Sequence, residues 1–185
     1  SDTGTAFNQA LFQAVSISTT AGFATTDFAS WPLFLPILLI FASFIGGCAS
    51  STAGGLKVVR VVLLFRQGVR ELNRLVHPSG VYSVKLGQRV LPQRVVEAVW
   101  GFFAAYALVF VVIMLGLLAT GLGDITAFSA TAAALNNLGP GLGEVAANYA
   151  TIPDAAKWLL VMAMIFGRLE VFTLLVLLTP TFWRS

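Results

Sequence analysis

Apolar residues fall along this chain in segments of two lengths, and the order of the lengths is informative. A short segment runs from about Thr5 to Ile17, with Asn8, Gln9 and Gln13 set into it. A long one follows from Trp31 to about Phe65. After a basic polar stretch come a long segment from Val95 to Thr120, a short one from about Ile125 to Leu135, and a long one from Ala155 to about Leu178. As a helix the first short segment spans under ~20 Å, against a hydrocarbon core of ~30 Å. It predicts an interfacial, re-entrant or soluble-core helix. Val95–Thr120 predicts an ordinary membrane helix, with Trp100 and Tyr106 as interfacial or packing anchors. Gly121-Leu122-Gly123-Asp124 ends it, and Asp124 is placed to cap the next short helix. Pro180 ends the last segment, and Trp158 and Trp183 lie near its two ends as an aromatic belt requires.

The Trp31–Phe65 segment as one helix is about 50 Å long, too long for a bilayer without extreme tilt. It contains its own break, Gly46-Gly47-Cys48-Ala49-Ser50-Ser51-Thr52-Ala53-Gly54-Gly55. Glycine and hydroxyl residues at that density favour irregular backbone. Such backbone at membrane depth is tolerated where protein or a water-filled cavity satisfies it, so the break is expected to line a conduction path. The plainer reading is close helix packing through small residues, and both can hold together.

A glycine-bearing loop follows each short segment. One is Ser18-Thr19-Thr20-Ala21-Gly22-Phe23, the other Leu135-Asn136-Asn137-Leu138-Gly139-Pro140-Gly141. Setting Gly22 against Gly139 pairs Thr20 with Asn137 and Ala21 with Leu138, and a small gap then brings Gly46-Gly47 near Gly167-Arg168. The unit of short helix, loop and long helix is therefore duplicated. A dehydrated cation needs a ring of oxygens in place of its water, and backbone carbonyls of such loops supply one. Glycine permits the backbone angles this needs, and a short helix aims its partially negative C-terminus at the cation. Thr19, Thr20, Ala21, Gly22, Asn137, Leu138 and Gly139 are thus the expected filter residues. A pair of helix-ending turns is the plainer alternative.

The composition supports a lipid environment. The chain is 57% hydrophobic and 10% charged over 185 residues, with a mean hydropathy of +0.86. A soluble domain carries ~25% charged residues. The net charge is +3, but Lys57, Arg60, Arg66, Arg70, Arg74, Lys85, Arg89 and Arg94 all fall between the first two long segments. By the positive-inside rule this stretch is cytoplasmic and both glycine loops are outside. No aromatic-rich basic surface accompanies it, which argues against nucleic acid as a partner. Cys48 is the only cysteine and His77 the only histidine, so no disulfide or cysteine metal cluster forms within the chain. His77-Pro78-Ser79-Gly80 reads as a turn. The chain opens at Ser1-Asp2-Thr3-Gly4 without an initiator Met, which suggests an upstream part. The run ending in Leu56-Lys57 fails as a nucleotide-binding loop, because Gly and Lys are not adjacent and no Ser or Thr follows. Ser/His/Asp catalysis fails as well, since His77 lies on the other side from the outer Asp residues, so no enzyme is expected.

Arg168 lies midway along the last apolar segment, where a charge is costly and marks a functional site by default. Glu170, two residues on, points to another face.

Thr20-Ala21-Gly22-Phe23, the break ending Ala53-Gly54-Gly55-Leu56-Lys57, His77-Pro78, Asn136-Asn137-Leu138-Gly139-Pro140-Gly141 and the ending Thr179-Pro180-Thr181-Phe182-Trp183-Arg184 together resemble the Trk/Ktr/HKT superfamily of potassium uptake proteins. The likeness is strongest to the C-terminal part of the TrkH-like pore subunits. It covers essentially the whole chain. The resemblance implies an all-α integral membrane fold of four repeats, each a membrane helix, a pore helix, a filter loop and a second membrane helix. About one and two-thirds of those repeats are present. Residues 1–67 correspond to the pore loop and broken second helix of the third repeat, 68–94 to a cytoplasmic connection, and 95–185 to the complete fourth repeat. Residues Thr20, Ala21, Gly22, Asn137, Leu138 and Gly139 would coordinate potassium, the transported species, and no covalently bound cofactor is implied. Gly46, Gly47, Gly54 and Gly55 match an intramembrane gating loop, and Arg168 matches an arginine that contacts it beneath the filter. The implied partners are the missing repeats of the same polypeptide, a second copy in a homodimer, and a cytosolic nucleotide-binding regulatory subunit docked on the basic connection. Membrane lipid headgroups are the other partner for those charges. The implied location is the plasma (inner) membrane, multi-pass. Part of a ring makes no filter, so this chain is expected to be inactive alone. The competing readings are a secondary transporter with re-entrant hairpins for another cation or small solute, and a non-transporting membrane module.

Overall fold

The computed structural model describes residues 3–32, 34–48, 51, 53–78, 80, 82–86 and 89–169. Ala49, Ser50 and Thr52 of the break, Ser79, and everything from Glu170 on, including Pro180 and Trp183, lie outside the described residues.

The described chain is helical. Helix α1 spans Thr3–Ser18, α2 Phe34–Ile45, α3 Val58–Val76, α4 Gln93–Ala119, α5 Asp124–Leu135 and α6 Asp154–Arg168. One-turn 3-10 helices lie at Phe28–Ser30 and Gly143–Val145. The first is capped by the Asp27 carboxylate, which accepts from the Ala29 amide at 3.1 Å. Helix α5 lies at the centre, packed against α6, α4 and α2. The reason is its composition. Thr126, Ala127 and Ser129 through Leu135 are all buried, and side chains this small let neighbouring backbones approach from every side. Its hydroxyls are absorbed locally: Thr131 donates to the Ala127 carbonyl at 2.8 Å.

Two apolar clusters meet at α5. Phe102, Ile113, Leu117, Ala127, Ala134 and Leu160 join it to α4 and α6. Ile17, Phe28, Ile40, Ala133, Leu138 and Leu142 join it to α1 and α2. Phe110 bridges them, with ring centroids 5.7 Å from Phe44 and 5.6 Å from Phe128.

Helix α4 is the one described helix long and apolar enough to cross a bilayer, and only 22% of its most apolar window is buried within the chain. Exposed Leu108, Val112 and Leu115 thus form an apolar face that lipid or further protein must cover.

Several sequence expectations shift. Asp124 is the first residue of α5, and Gly123 is its cap, without a side-chain capping bond. The carboxylate still complements the helix dipole from the first turn. Helix α3 runs on through Gln67 to Val76, into the stretch read as a polar connection. Charged residues change the solvent a helix meets, and Arg, Glu, Leu and Gln are good helix formers. Past it, an unanticipated pair of short strands, β1 (Lys85–Leu86) and β2 (Arg89–Val90), pairs antiparallel with Lys85 opposite Val90. Val84 anchors this hairpin, buried against Leu63 and Val96. Helix α6 is described to Arg168, with the Leu169 amide still bonding the Ile165 carbonyl at 3.0 Å, and the rest of the segment expected to reach Leu178 lies outside the described residues.

Candidate functional site: two glycine loops and a looped-out segment

Helices α1 and α5 end in the same three backbone bonds. Thr19 and Asn136 close the last regular turns, their amides 3.0 and 2.9 Å from Val15 and Ala132 carbonyls. The amides of Thr20 and Asn137 each bond three residues back, to Ile17 and Ala134, both at 3.1 Å. Those of Ala21 and Leu138 each reach five back, to Ser16 and Ala133, both at 2.8 Å. This is a Schellman cap, which requires a left-handed residue just past the helix. Thr20 and Asn137 occupy that position at φ +56° and +51°. Two residues on, Gly22 and Gly139 are left-handed again, at φ +76° and +103°. The helix-ending turn and the glycine are therefore separate features of each loop. Asn tolerates the left-handed conformation, whereas a β-branched Thr there is an outlier.

The loops touch. A Cβ on Gly22 would stand 2.0 Å from the Leu138 carbonyl oxygen, so only glycine allows this approach. Each loop is also pinned to its own repeat. The Ser16 hydroxyl donates to the Phe23 carbonyl at 2.6 Å, and Tyr149 donates to the Gly139 carbonyl at 2.7 Å. Burial pushes the Tyr149 phenol up to about 12, which keeps it a neutral donor. The Thr19 hydroxyl is turned back along its own helix, donating to the Val15 carbonyl at 2.7 Å. Among the described residues no three His, Cys, Asp or Glu side chains come together to hold a metal.

The glycine-rich break is a looped-out segment with a closed neck. Leu56 donates to the Phe44 carbonyl at 2.8 Å and Val58 to the Gly47 carbonyl at 3.2 Å. Gly46 and Gly55 face each other there, and a Cβ on Gly46 would meet the Gly54 carbonyl oxygen at 2.3 Å. Gly47 packs inside the segment against Ser51 and Ala53. Gly54 lies between the two loops. Its amide donates to the Thr20 hydroxyl at 3.0 Å, and a Cβ on it would stand 1.8 Å from the Asn136 carbonyl oxygen.

Arg168 comes to the same place from α6. It borders a cavity of about 240 Å³ with Ser51, Ala53, Gly54, Gly55, Lys57 and Arg60. Its neighbour Gly167 packs backbone to backbone on the end of α5, where a Cβ would stand 2.0 Å from the Leu135 carbonyl oxygen. The Asn137 side-chain amide reaches the Met164 carbonyl of α6 at 3.3 Å.

The expected filter and gate residues thus form one cluster. Sequence reasoning missed the polar chain that carries it. Tyr106 donates to Asn136 Oδ1 at 2.6 Å, Asn136 Nδ2 to Ser43 Oγ at 2.8 Å, and Ser43 to the Ile40 carbonyl at 2.6 Å. All three side chains are buried. Tyr106 is therefore a core hydrogen-bond donor and not an interfacial anchor. The available signal was the polar content itself, since a lone Ser, Tyr or Asn in an apolar run must find a partner when buried.

A family model described as TrkH, cation transport protein, matches residues 1–184. The Trk system potassium uptake protein TrkH of Vibrio parahaemolyticus is 71% identical over 180 residues, covering 97% of this chain and 37% of that protein. The Escherichia coli K12 protein of the same name is 66% identical over 178 residues, 96% of this chain and 37% of its own. Escherichia coli TrkG is 41% identical over 179 residues. The crystal structure of the potassium transporter TrkH from Vibrio parahaemolyticus superposes with a TM-score of 0.90 over 97% of this chain and 38% of that one. The chain thus spans little more than a third of the length of these relatives. It belongs to the TrkH family of cation transport proteins, and with that family to the membrane proteins.

Proposed function

We propose that this chain builds two of the four sectors of a potassium pore in the plasma (inner) membrane, together with its gate. The observation that carries the reading is the pair of loops with one backbone conformation, in direct contact at Gly22 and Leu138. A cation stripped of water needs oxygens from all round, so adjacent copies of one loop are what a ring requires. The backbone oxygens of Thr20, Ala21, Gly22, Asn137, Leu138 and Gly139 line these sectors, and the C-terminal dipole ends of α1 and α5 favour positive charge beside them. The remaining sectors come from the other repeats of the same polypeptide. Potassium moves down its electrochemical gradient, with both loops facing outside and residues 68–94 in the cytoplasm.

The gate is the segment from Gly46 to Gly55 working against Arg168. The support is their shared cavity and the placing of Gly54 between the loops. A second copy completes a homodimer. A cytosolic nucleotide-binding regulatory subunit docks on the basic stretch containing Arg66, Arg70 and Arg74, next to lipid headgroups.

The test is ion flux into proteoliposomes holding the four-repeat protein that carries this chain, or the Vibrio relative with this chain in place of its matching segment. Potassium or rubidium uptake should exceed sodium uptake. Gly139→Ser should erode that preference, because Gly139 has open space for a Cβ and only its φ of +103° resists one. Uptake that depends on an organic solute, with no ion current, would instead establish a secondary transporter.

A further inference from the structure

Thr20 is the residue the turn itself does not explain. Its counterpart in the second loop is Asn137, which suits a left-handed position, whereas Thr is among the residues least suited to one. Strain of this kind persists where surrounding structure over-determines it, and it points toward function. What Thr supplies that a glycine would not is a hydroxyl oxygen. That oxygen accepts the amide of Gly54 at 3.0 Å, across 34 residues of sequence. Gly54 is buried, and a buried amide must be paired.

We infer that the Thr20 hydroxyl is a latch holding the looped-out segment against the first glycine loop, so that the two move together. The inference deepens the gate proposed above and rests on that reading. Displacing the segment must break the Thr20–Gly54 bond. The freed amide then needs a new acceptor, and water entering the opened path provides it. Displacement is thereby linked to hydration. The change also passes outward. Without Gly54, only the cap bonds to Ile17 and Ser16 hold Thr20 left-handed, and Ala21 and Gly22 follow directly in the chain. The second loop is tied differently, since Asn137 donates to the Met164 carbonyl within the continuous helix α6. One loop is therefore fastened to the looped-out segment and the other to helix α6. Thr20 is a positioning residue for the gate.

Two variants separate the hydrogen bond from the shape. Thr20→Val keeps the branch and removes the acceptor, while Thr20→Ser keeps the acceptor. The first readout is hydrogen–deuterium exchange of the peptide containing Gly54, in the four-repeat protein in detergent. Thr20→Val should speed it roughly 2- to 10-fold, the range a single hydrogen bond commands, and Thr20→Ser should match wild type. The second readout is resting rubidium leak in proteoliposomes, which should be ~2- to 10-fold higher in Thr20→Val than in Thr20→Ser. Unchanged exchange and leak in folded Thr20→Val overturns the latch. Equal effects of Val and Ser overturn it too, because strain and not the bond would then be responsible. Should Val prevent folding, Thr20→Ala removes the same acceptor with less crowding, and the comparison with Ser stands. A wild-type protein that passes no monovalent cation sinks the pore reading, while the exchange result still judges the bond.

Discussion

Tyr106→Phe deletes one oxygen at the head of the polar chain and leaves the ring in place. The ring contacts with Phe44 and Phe102, at 6.3 and 6.2 Å between centroids, survive, so almost no apolar burial is lost. What is lost is the 2.6 Å bond to Asn136 Oδ1. Asn136 and Ser43 are 0% exposed, so water cannot replace the missing donor. An orphaned buried acceptor costs ~1–3 kcal/mol in soluble proteins. Hydrogen bonds measured within membrane proteins average only ~0.6 kcal/mol, with a maximum near ~1.7, because the unfolded chain in lipid finds partners too. Tyr106, Asn136 and Ser43 donate in series, which strengthens each bond. The expected loss is therefore about 1–2 kcal/mol, at the upper end of the membrane range. Reversible unfolding of the purified four-repeat protein in mixed micelles reads it. Ser43→Ala orphans the other end of Asn136, so the double variant should deviate from additivity by at least ~0.5 kcal/mol. A Tyr106→Phe protein within ~0.3 kcal/mol of wild type, with additive Ser43→Ala, would refute the idea that this chain of bonds carries the loop.

Three further outcomes are expected. Gly22→Ala must move the Leu138 carbonyl, 2.0 Å from the new Cβ, and occupies φ +76°; it should cost ~1–3 kcal/mol and reduce potassium preference over sodium in the same flux assay. Arg168→Ala should raise resting leak about tenfold, equivalent to ~1.4 kcal/mol, and a well-folded variant with wild-type leak would remove Arg168 from the gate. Tyr149 has its proton affinity raised on folding, so its contribution is complete below the free phenol's value and fades as pH rises toward about 12. Potassium preference, a property of the folded protein, should then be flat from pH ~5 to ~10 and fall only as pH approaches about 12, and Tyr149→Phe should abolish that alkaline dependence.

The parts legible in the sequence are those set by length and by glycine. Helix α5 is as short as its apolar run, and glycine density marked the looped-out segment between α2 and α3. The pairing of Gly22 with Gly139 carries over to the observed backbone angles. The rest depends on contacts distant in sequence. Nothing near Thr20 announces a left-handed threonine, because its compensation comes from Gly54. Arg66, Arg70 and Arg74 read in the sequence as the start of a polar connection, and α3 runs on through all three to Val76. Tyr106 fits both the edge and the interior of a membrane, and only the position of Asn136 decides between them.

The duplication also explains how an arginine is tolerated beside this cluster. Gly54 of the looped segment and Gly167 of α6 each abut a carbonyl at the C-terminal end of α5, those of Asn136 and Leu135. Terminal carbonyls lack helical partners and carry the negative end of the dipole. Arg168 follows Gly167 in the chain, so its backbone lies beside the negative end of α5. That field offsets part of the cost of holding a cation in an apolar setting. On the pore reading, the end of α5 is also the feature that favours potassium. Arg168 is then a tethered cation competing for the field that the mobile one requires, and displacement of the looped segment, which borders the same cavity, decides which of them is held.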